Sequence, residues 1–131
     1  IEALYSALDK IPKTCEKFAG RYIIVAKRLR GIDVSQRAVL LGRSAGVVVD
    51  MIGQLRHGLK IDPVKKLRDQ LQALESEANR LLLEPYRTLY AEGSDPIRAV
   101  LAKDLFELVE KAVDKCRDVG NVVYSIVLKN S

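Results

Sequence analysis

Apolar residues recur along the chain at alternating steps of four and three, the period of one helix face. Leu4, Leu8, Ile11, Cys15, Phe18, Tyr22, Val25 and Leu29 form the first such stripe. Leu41, Ala45, Val48, Ile52, Leu55 and Leu59 form the second. Val64, Leu67, Leu71, Leu74, Ala78, Leu81 and Leu82 form the third. Ile97, Leu101, Leu105, Leu108, Ala112, Cys116, Val119, Val123 and Ile126 form the fourth. Turn signals separate them: Gly31-Ile32-Asp33, then Gly58 with Asp62-Pro63, then Gly93-Ser94-Asp95-Pro96. Each reads as a glycine stop followed by a new helix cap, with proline just inside two of the new helices. The pattern predicts helices over 1–30, 33–58, 62–92 and 95–129. With one apolar face each, they form an all-α antiparallel bundle of about four long helices.

Some residues strain this pattern. Pro12 and Pro85 fall inside predicted helices, and each removes a backbone donor, so a kink or break is expected at both. Pro12 is an alternative start for the first helix. Gly42, Gly46 and Gly53 weaken the second helix by up to ~1 kcal/mol each. Their spacing predicts close approach of a neighbouring helix, with local flexibility as the plainer alternative. Matching Cys15 with Cys116 lays the first stretch over the fourth, so that Ile11 meets Ala112 and Ala19-Gly20 meets Gly120-Asn121. The polar positions disagree, which leaves the internal repeat weak.

The length of 131 residues suits one helical-bundle domain over 1–131. Hydrophobic residues make up 48% and charged residues 30%, too apolar for a disordered chain. No uninterrupted apolar stretch approaches the ~18–20 residues that cross a bilayer. Two cysteines, one histidine and no tryptophan exclude a disulfide framework or a Cys/His zinc site as organiser. Cys15 and Cys116 read as free thiols in a reducing cytosol. The net charge of +5 permits an acidic partner, whether nucleic acid, phosphate or an anionic membrane. Arg21, Lys27, Arg28 and Arg30 crowd the first quarter of the chain. The chain begins at Ile1, as expected of a processed or truncated piece of something longer.

Asp104, Glu107, Glu110, Asp114 and Asp118 recur at steps of three or four and share one face, roughly opposite the apolar stripe. Carboxylates one turn apart, as in Asp114 and Asp118, suit a hard cation. A solvated face, neutralised by Lys103, Lys111, Lys115 and Arg117, is the plainer reading. Glu75, Glu77 and Asn79 offer a similar but less charged set on the third helix. His57, at the end of the second helix, is expected to interact with its last carbonyls. Glycine-rich phosphate loops, nucleophile elbows and His-Glu-x-x-His are absent from the sequence.

The run from Leu105 to Ser131, through Asp114-Lys-Cys-Arg-Asp118-Val-Gly-Asn121, resembles the closing helix of the PhoU-like phosphate-transport regulators. More narrowly, it resembles the branch associated with Pit-type phosphate transporters. Leu74-Glu75-Ser-Glu-Ala-Asn79 resembles the preceding helix of that family, and the linker from Tyr90 to Pro96 also fits. The resemblance covers 62–131 well and 1–61 by helix pattern alone. It implies two repeated three-helix bundles. Residues 33–129 would then be the second bundle and 1–30 the last helix of the first, with two helices missing before Ile1. Such a first helix would need another partner, for instance a second chain.

The resemblance also implies metal binding by acid-x-x-x-Asp motifs, with divalent or iron-type ions as the cofactor. Asp114 and Asp118 match that motif and Glu75 matches its neighbour, while Asn79 departs. In the first bundle's copy the positions are Lys13 and Lys17, whose ammonium groups repel a cation. The expected function is a cytoplasmic, non-enzymatic regulator, peripheral at the inner face of the membrane. It would dock on a phosphate transporter or its signalling partner. The alternatives are a generic dimerising scaffold or a nucleic-acid binder using Lys27-Arg28-Leu29-Arg30. Nucleic acid is the weaker of these, because the cluster is short and no recognition-helix motif accompanies it. A metal-dependent enzyme on the acidic stripe is weaker still, for want of an acid or base distinct from the ligands.

Overall fold

Each apolar stripe buries itself by meeting the others, and in the computed structural model the meeting place is the last helix. The structure describes residues 1–89, 91, 93 and 95–130, with the backbone alone at Thr88 and Leu89. Tyr90, Glu92 and Ser94, all in the linker singled out above, lie outside the described residues. The helices are α1 (Glu2–Val25), α2 (Ser35–Arg56), α3 (Ile61–Leu81), α4 (Leu83–Leu89) and α5 (Pro96–Lys129). A 3₁₀ turn, Ala26–Leu29, continues α1. The described residues contain no strand, and the all-α bundle is as the periodicity predicts.

All of the other helices pack on α5. α2 and α3 also pack on each other, whereas α1 touches no long helix except α5. Near the end of α5, Val119, Val123 and Val127 form one cluster with Met51 and Val48 of α2, Val64 and Leu71 of α3, and Ala7 of α1. Near its start, Leu105 and Phe106 meet Leu29, Phe18 and Val25. Between them, Val113 meets Leu40, Ala78 and Leu81. These pairings run α1 and α3 antiparallel to α5, and α2 parallel to it. Burying a valine or leucine in this way contributes about 1.5–3 kcal/mol each, so α5 carries most of the core's stabilisation.

Local chemistry explains where the helices start and stop. Gly31, Gly58 and Gly93 all have positive φ, at 85°, 86° and 77°, a region that other residues rarely enter. Asp95 caps α5 as predicted, its Oδ1 accepting from the backbone N–H of Ile97 at 3.0 Å and of Arg98 at 3.3 Å, with Pro96 at the first position. Asp33 accepts from the N–H of Ser35 at 2.8 Å, and hydrogen bonding from the Ser35 side chain first, then from this N–H, holds the Asp33 carboxyl below its ordinary pKa. Asp62 does not cap α3. The helix already begins at Ile61, which puts Asp62 in its first turn and Pro63 third. His57 bonds back through its backbone N–H to Gln54 O at 3.2 Å.

The two interior prolines behave differently. Pro85 accompanies a break, as expected: α3 ends at Leu81 and α4 restarts at Leu83. Pro12 does not break α1, which runs unbroken from Glu2 with the ring on its exposed side. The expected close approach is also elsewhere. A Cβ at Gly42, Gly46 or Gly53 would meet nothing within 4 Å, whereas one at Gly120 of α5 would fall 2.5 Å from Leu71 Cδ1 and 3.3 Å from Met51 Sδ. Gly120 is therefore the residue that lets α2 and α3 close on α5. Among the described residues, α2 alone is long and apolar enough to cross a membrane by length and composition. That measure admits Arg43 and Asp50, and here Leu40, Val47, Val48 and Met51 of this helix serve the core.

Candidate functional site

α3 and α5 run side by side, and their packing brings the three predicted metal ligands to one place. Asp114 and Asp118 lie one turn apart on α5, and Glu75 reaches them from α3. What they surround is the guanidinium of Arg117. Its Nη2 stands 2.7 Å from Asp114 Oδ1 and 3.4 Å from Asp118 Oδ1, and its Nη1 stands 3.7 Å from Glu75 Oε2. Lys115 Nζ adds a longer contact to Asp118 at 3.9 Å. Burial alone would lower the pKa of Arg117, but the neighbouring Asp114, Asp118 and Glu75 outweigh it and raise it. The donor set thus fits a cation, and the cation in place is an arginine. Among the described residues, no group of three or more His, Cys, Asp or Glu is arranged to hold a metal ion. A hard cation here would have to displace Arg117.

The rest of the acidic stripe is less solvated than a face opposite the core would be. Asp104, Glu107, Glu110, Asp114 and Asp118 are all half-buried, because neighbouring helices flank α5. Glu107 pairs with Lys103 at 3.0 Å, and this raises the lysine's pKa. Glu110 has no such partner close by. Its pKa is raised, first by burial and then by the charges of Asp114 and Glu75, with Arg117 opposing. Asn79 is exposed and adds nothing to the cluster.

A second buried guanidinium escaped the sequence reading. Arg37, at the start of α2, lies 3.6 Å from the ring centroid of Phe106 on α5. Its Nη2 donates to Leu81 O at 2.9 Å and to Glu84 Oε2 at 3.3 Å, tying α2 to the break between α3 and α4. Its one sequence signal is position: Arg37 sits a turn before Leu41 on the apolar stripe. A cleft of about 580 Å³ opens beside it, lined also by Asp33, Glu84, Asp95 and Arg98. Acids and bases alternate around that cleft, so it presents no single charge.

The Cys116 thiol is a poor nucleophile. Cys116 is buried, and burial first, then the proximity of Cys15, pushes its pKa up to about 11. Both cysteines are free, and Cys15 is half-buried.

The basic cluster lies at the other end of α1 from Ile1. Arg21, Lys27, Arg28 and Arg30 are exposed, and among the described residues none of them forms an ion pair. Beside them Ile23 and Ile24 stand 78% and 81% exposed, and Tyr22 is partly exposed against Phe18, their rings stacked 6.0 Å apart. The sequence reading placed Tyr22 on the apolar stripe; the structure leaves it largely outside.

No family model matches the chain, and no solved structure does. A curated protein, the UPF0111 protein YkaA of Bacillus subtilis (strain 168), is 24% identical over 62 residues. The match covers 47% of this chain and 30% of that protein, so the chain matches less than a third of its relative's length. UPF0111 is a family related to the PhoU-like proteins.

Proposed function

We propose that this chain is a non-enzymatic helical regulator of the PhoU-like kind. It acts by docking on a phosphate transporter, or on the signalling partner of one, at the inner face of the membrane. The observation that carries the reading is the division of labour between surfaces. Glu75, Glu107, Asp114 and Asp118 are engaged with Arg117 and Lys103, whereas the cations at the end of α1 form no ion pair among the described residues and are open to an acidic partner. The resemblance of the closing helix, Leu105 to Ser131, supports the choice of partner class. Co-purification from membranes of cells making both this protein and the transporter tests the proposal. Recovery of the transporter supports it, and an empty capture refutes it.

Metal enters this reading as a competitor of Arg117 for Glu75, Asp114 and Asp118. Elemental analysis of purified protein, with Asp114→Ala alongside, measures whether any ion wins that competition. A second reading, a dimerising scaffold, is favoured by the open glycine face of α2, where nothing lies within 4 Å of Gly42 or Gly46. Sedimentation of the purified chain separates the two: a stable dimer in the absence of any partner favours the scaffold.

A further inference from the structure

We infer that the end of the bundle formed by the last turn of α1 and the 3₁₀ turn is a binding surface for an anionic lipid bilayer, seated by Ile23 and Ile24 and held by Arg21, Lys27, Arg28 and Arg30. The inference does not depend on which protein, if any, is the docked partner.

Charge is the first argument. No acidic residue lies between Glu16 and Asp33, so this stretch cannot neutralise itself along the chain. Elsewhere the molecule pairs many of its cations: Lys13 with Asp9 at 2.8 Å, Lys103 with Glu107 at 3.0 Å, Arg117 with three carboxylates. Here the packing brings Asp104 into a small crevice with Arg21 and Ile24, and Asp33 and Asp95 line the cleft at Gly31 beside Arg98, so the neighbouring carboxylates offset part of the charge. The remaining positive field is complementary to phosphate headgroups, whose attraction for each added Lys or Arg is worth about a fivefold gain in binding.

Apolar exposure is the second. Two successive isoleucines in water forfeit burial that the core residues have, and clustered exposure of this kind marks a contact surface. Ile97 and Val100, 56% and 45% exposed, stand at the start of α5, which packs at the same end as the last turns of α1. Tyr22 supplies the amphipathic ring favoured at headgroup depth. A nucleic-acid backbone would use the cations but has no use for adjacent isoleucines, and this favours lipid.

The third is rigidity. Leu29 is 5% exposed and packs against α5, which anchors the turn that carries Lys27, Arg28 and Arg30. The guanidinium of Arg98 donates to Arg30 O, and Gly31 leaves in the left-handed region at once afterwards. The cations and isoleucines therefore sit on a fixed backbone platform, and binding adds no backbone ordering cost.

Vesicle flotation of the full 131-residue chain tests this. Phosphatidylcholine vesicles are compared with vesicles that also contain phosphatidylglycerol. The protein is expected to float with the anionic vesicles alone and to be released by high salt. Lys27→Glu with Arg28→Glu should weaken binding by about thirtyfold or more. Ile23→Asp with Ile24→Asp should weaken it at least as clearly while circular dichroism shows the helices intact, since both side chains are exposed. The chain has no tryptophan, so Ile24→Trp reports insertion as a blue shift on adding anionic vesicles. Tyr5→Trp, at the far end of α1, should not shift. Absence of flotation, equal flotation with neutral vesicles, or binding indifferent to the isoleucine pair would overturn the inference. So would a duplex DNA complex abolished by the Lys27 and Arg28 changes in a protein that ignores vesicles. A dimer that dissociates with the isoleucine pair would assign the surface to a second copy and overturn it too.

Discussion

The two longest helices lie side by side and live in different surroundings. α5 buries side chains along most of its length, from Ala99 to Val127, with helices packed around it. α1 buries only Ala7 and Thr14, although Leu4, Leu8 and Ile11 lean on the core from its edge. Both carry an apolar stripe at the same spacing, and in sequence they can be laid over one another. The number of neighbours each stripe meets separates them. A stripe at helical period states that one face seeks cover; it does not state how much cover arrives.

The sharpest way to break the contrast is to truncate one leucine or isoleucine in each setting. Leu105→Ala on α5, where the side chain is 1% exposed, should cost about 2–5 kcal/mol of stability in a denaturant titration. Ile24→Ala on α1 should change it by less than about 0.5 kcal/mol. Equal losses would mean that α1 is covered in solution.

A glycine on each of these helices gives the next test. Gly120→Val places atoms where Leu71 and Met51 already are, and should destabilise by about 1–3 kcal/mol. Leu71 cannot swing clear, because it is itself buried. Gly20→Ala meets nothing within 4 Å and should stabilise by about 0.5–1 kcal/mol, through helix propensity alone. Thermal melts of the pair should therefore move in opposite directions.

The smallest effect concerns Glu110. Its pKa is raised by folding, so the folded state binds the proton more tightly than the unfolded chain. Between the ordinary glutamate value of 4.5 and the raised one, stability falls as pH rises, and above that window the loss is constant. Glu110→Gln should raise the melting temperature slightly near neutral pH. The advantage should vanish once acid has protonated the glutamate in both states. Melts across a pH series measure it, and a uniform offset at all pH values would contradict the assignment.

Much of this molecule was legible before its structure. The helices follow from the stripes, and Asp95 followed by Pro96 marks the start of α5 because its cap is local. Other features depend on which neighbour arrives. The spacing of Asp114 and Asp118 puts them on one face, and packing brings Glu75 of α3 to the same guanidinium. Nothing in that spacing says that Arg117, on the same helix, would turn back into the carboxylates. Gly42, Gly46 and Gly120 look alike as letters, and only packing makes the last one indispensable. Arg37 was invisible because the ring it covers, Phe106, and the carbonyl it caps, Leu81, belong to distant parts of the chain. Pro12 was misjudged because a proline on an exposed side costs one hydrogen bond, which a long helix packed along its other face can lose.

The central position of α5 bears on how the protein is made. A chain leaves the ribosome from its first residue onward, and α2 can pair with α3 as soon as both have emerged. Among the described helices α1 packs chiefly on α5, so that contact waits until Leu105 and the valines after it are synthesised. In that interval the apolar edge of α1 is exposed to aggregation unless something else covers it.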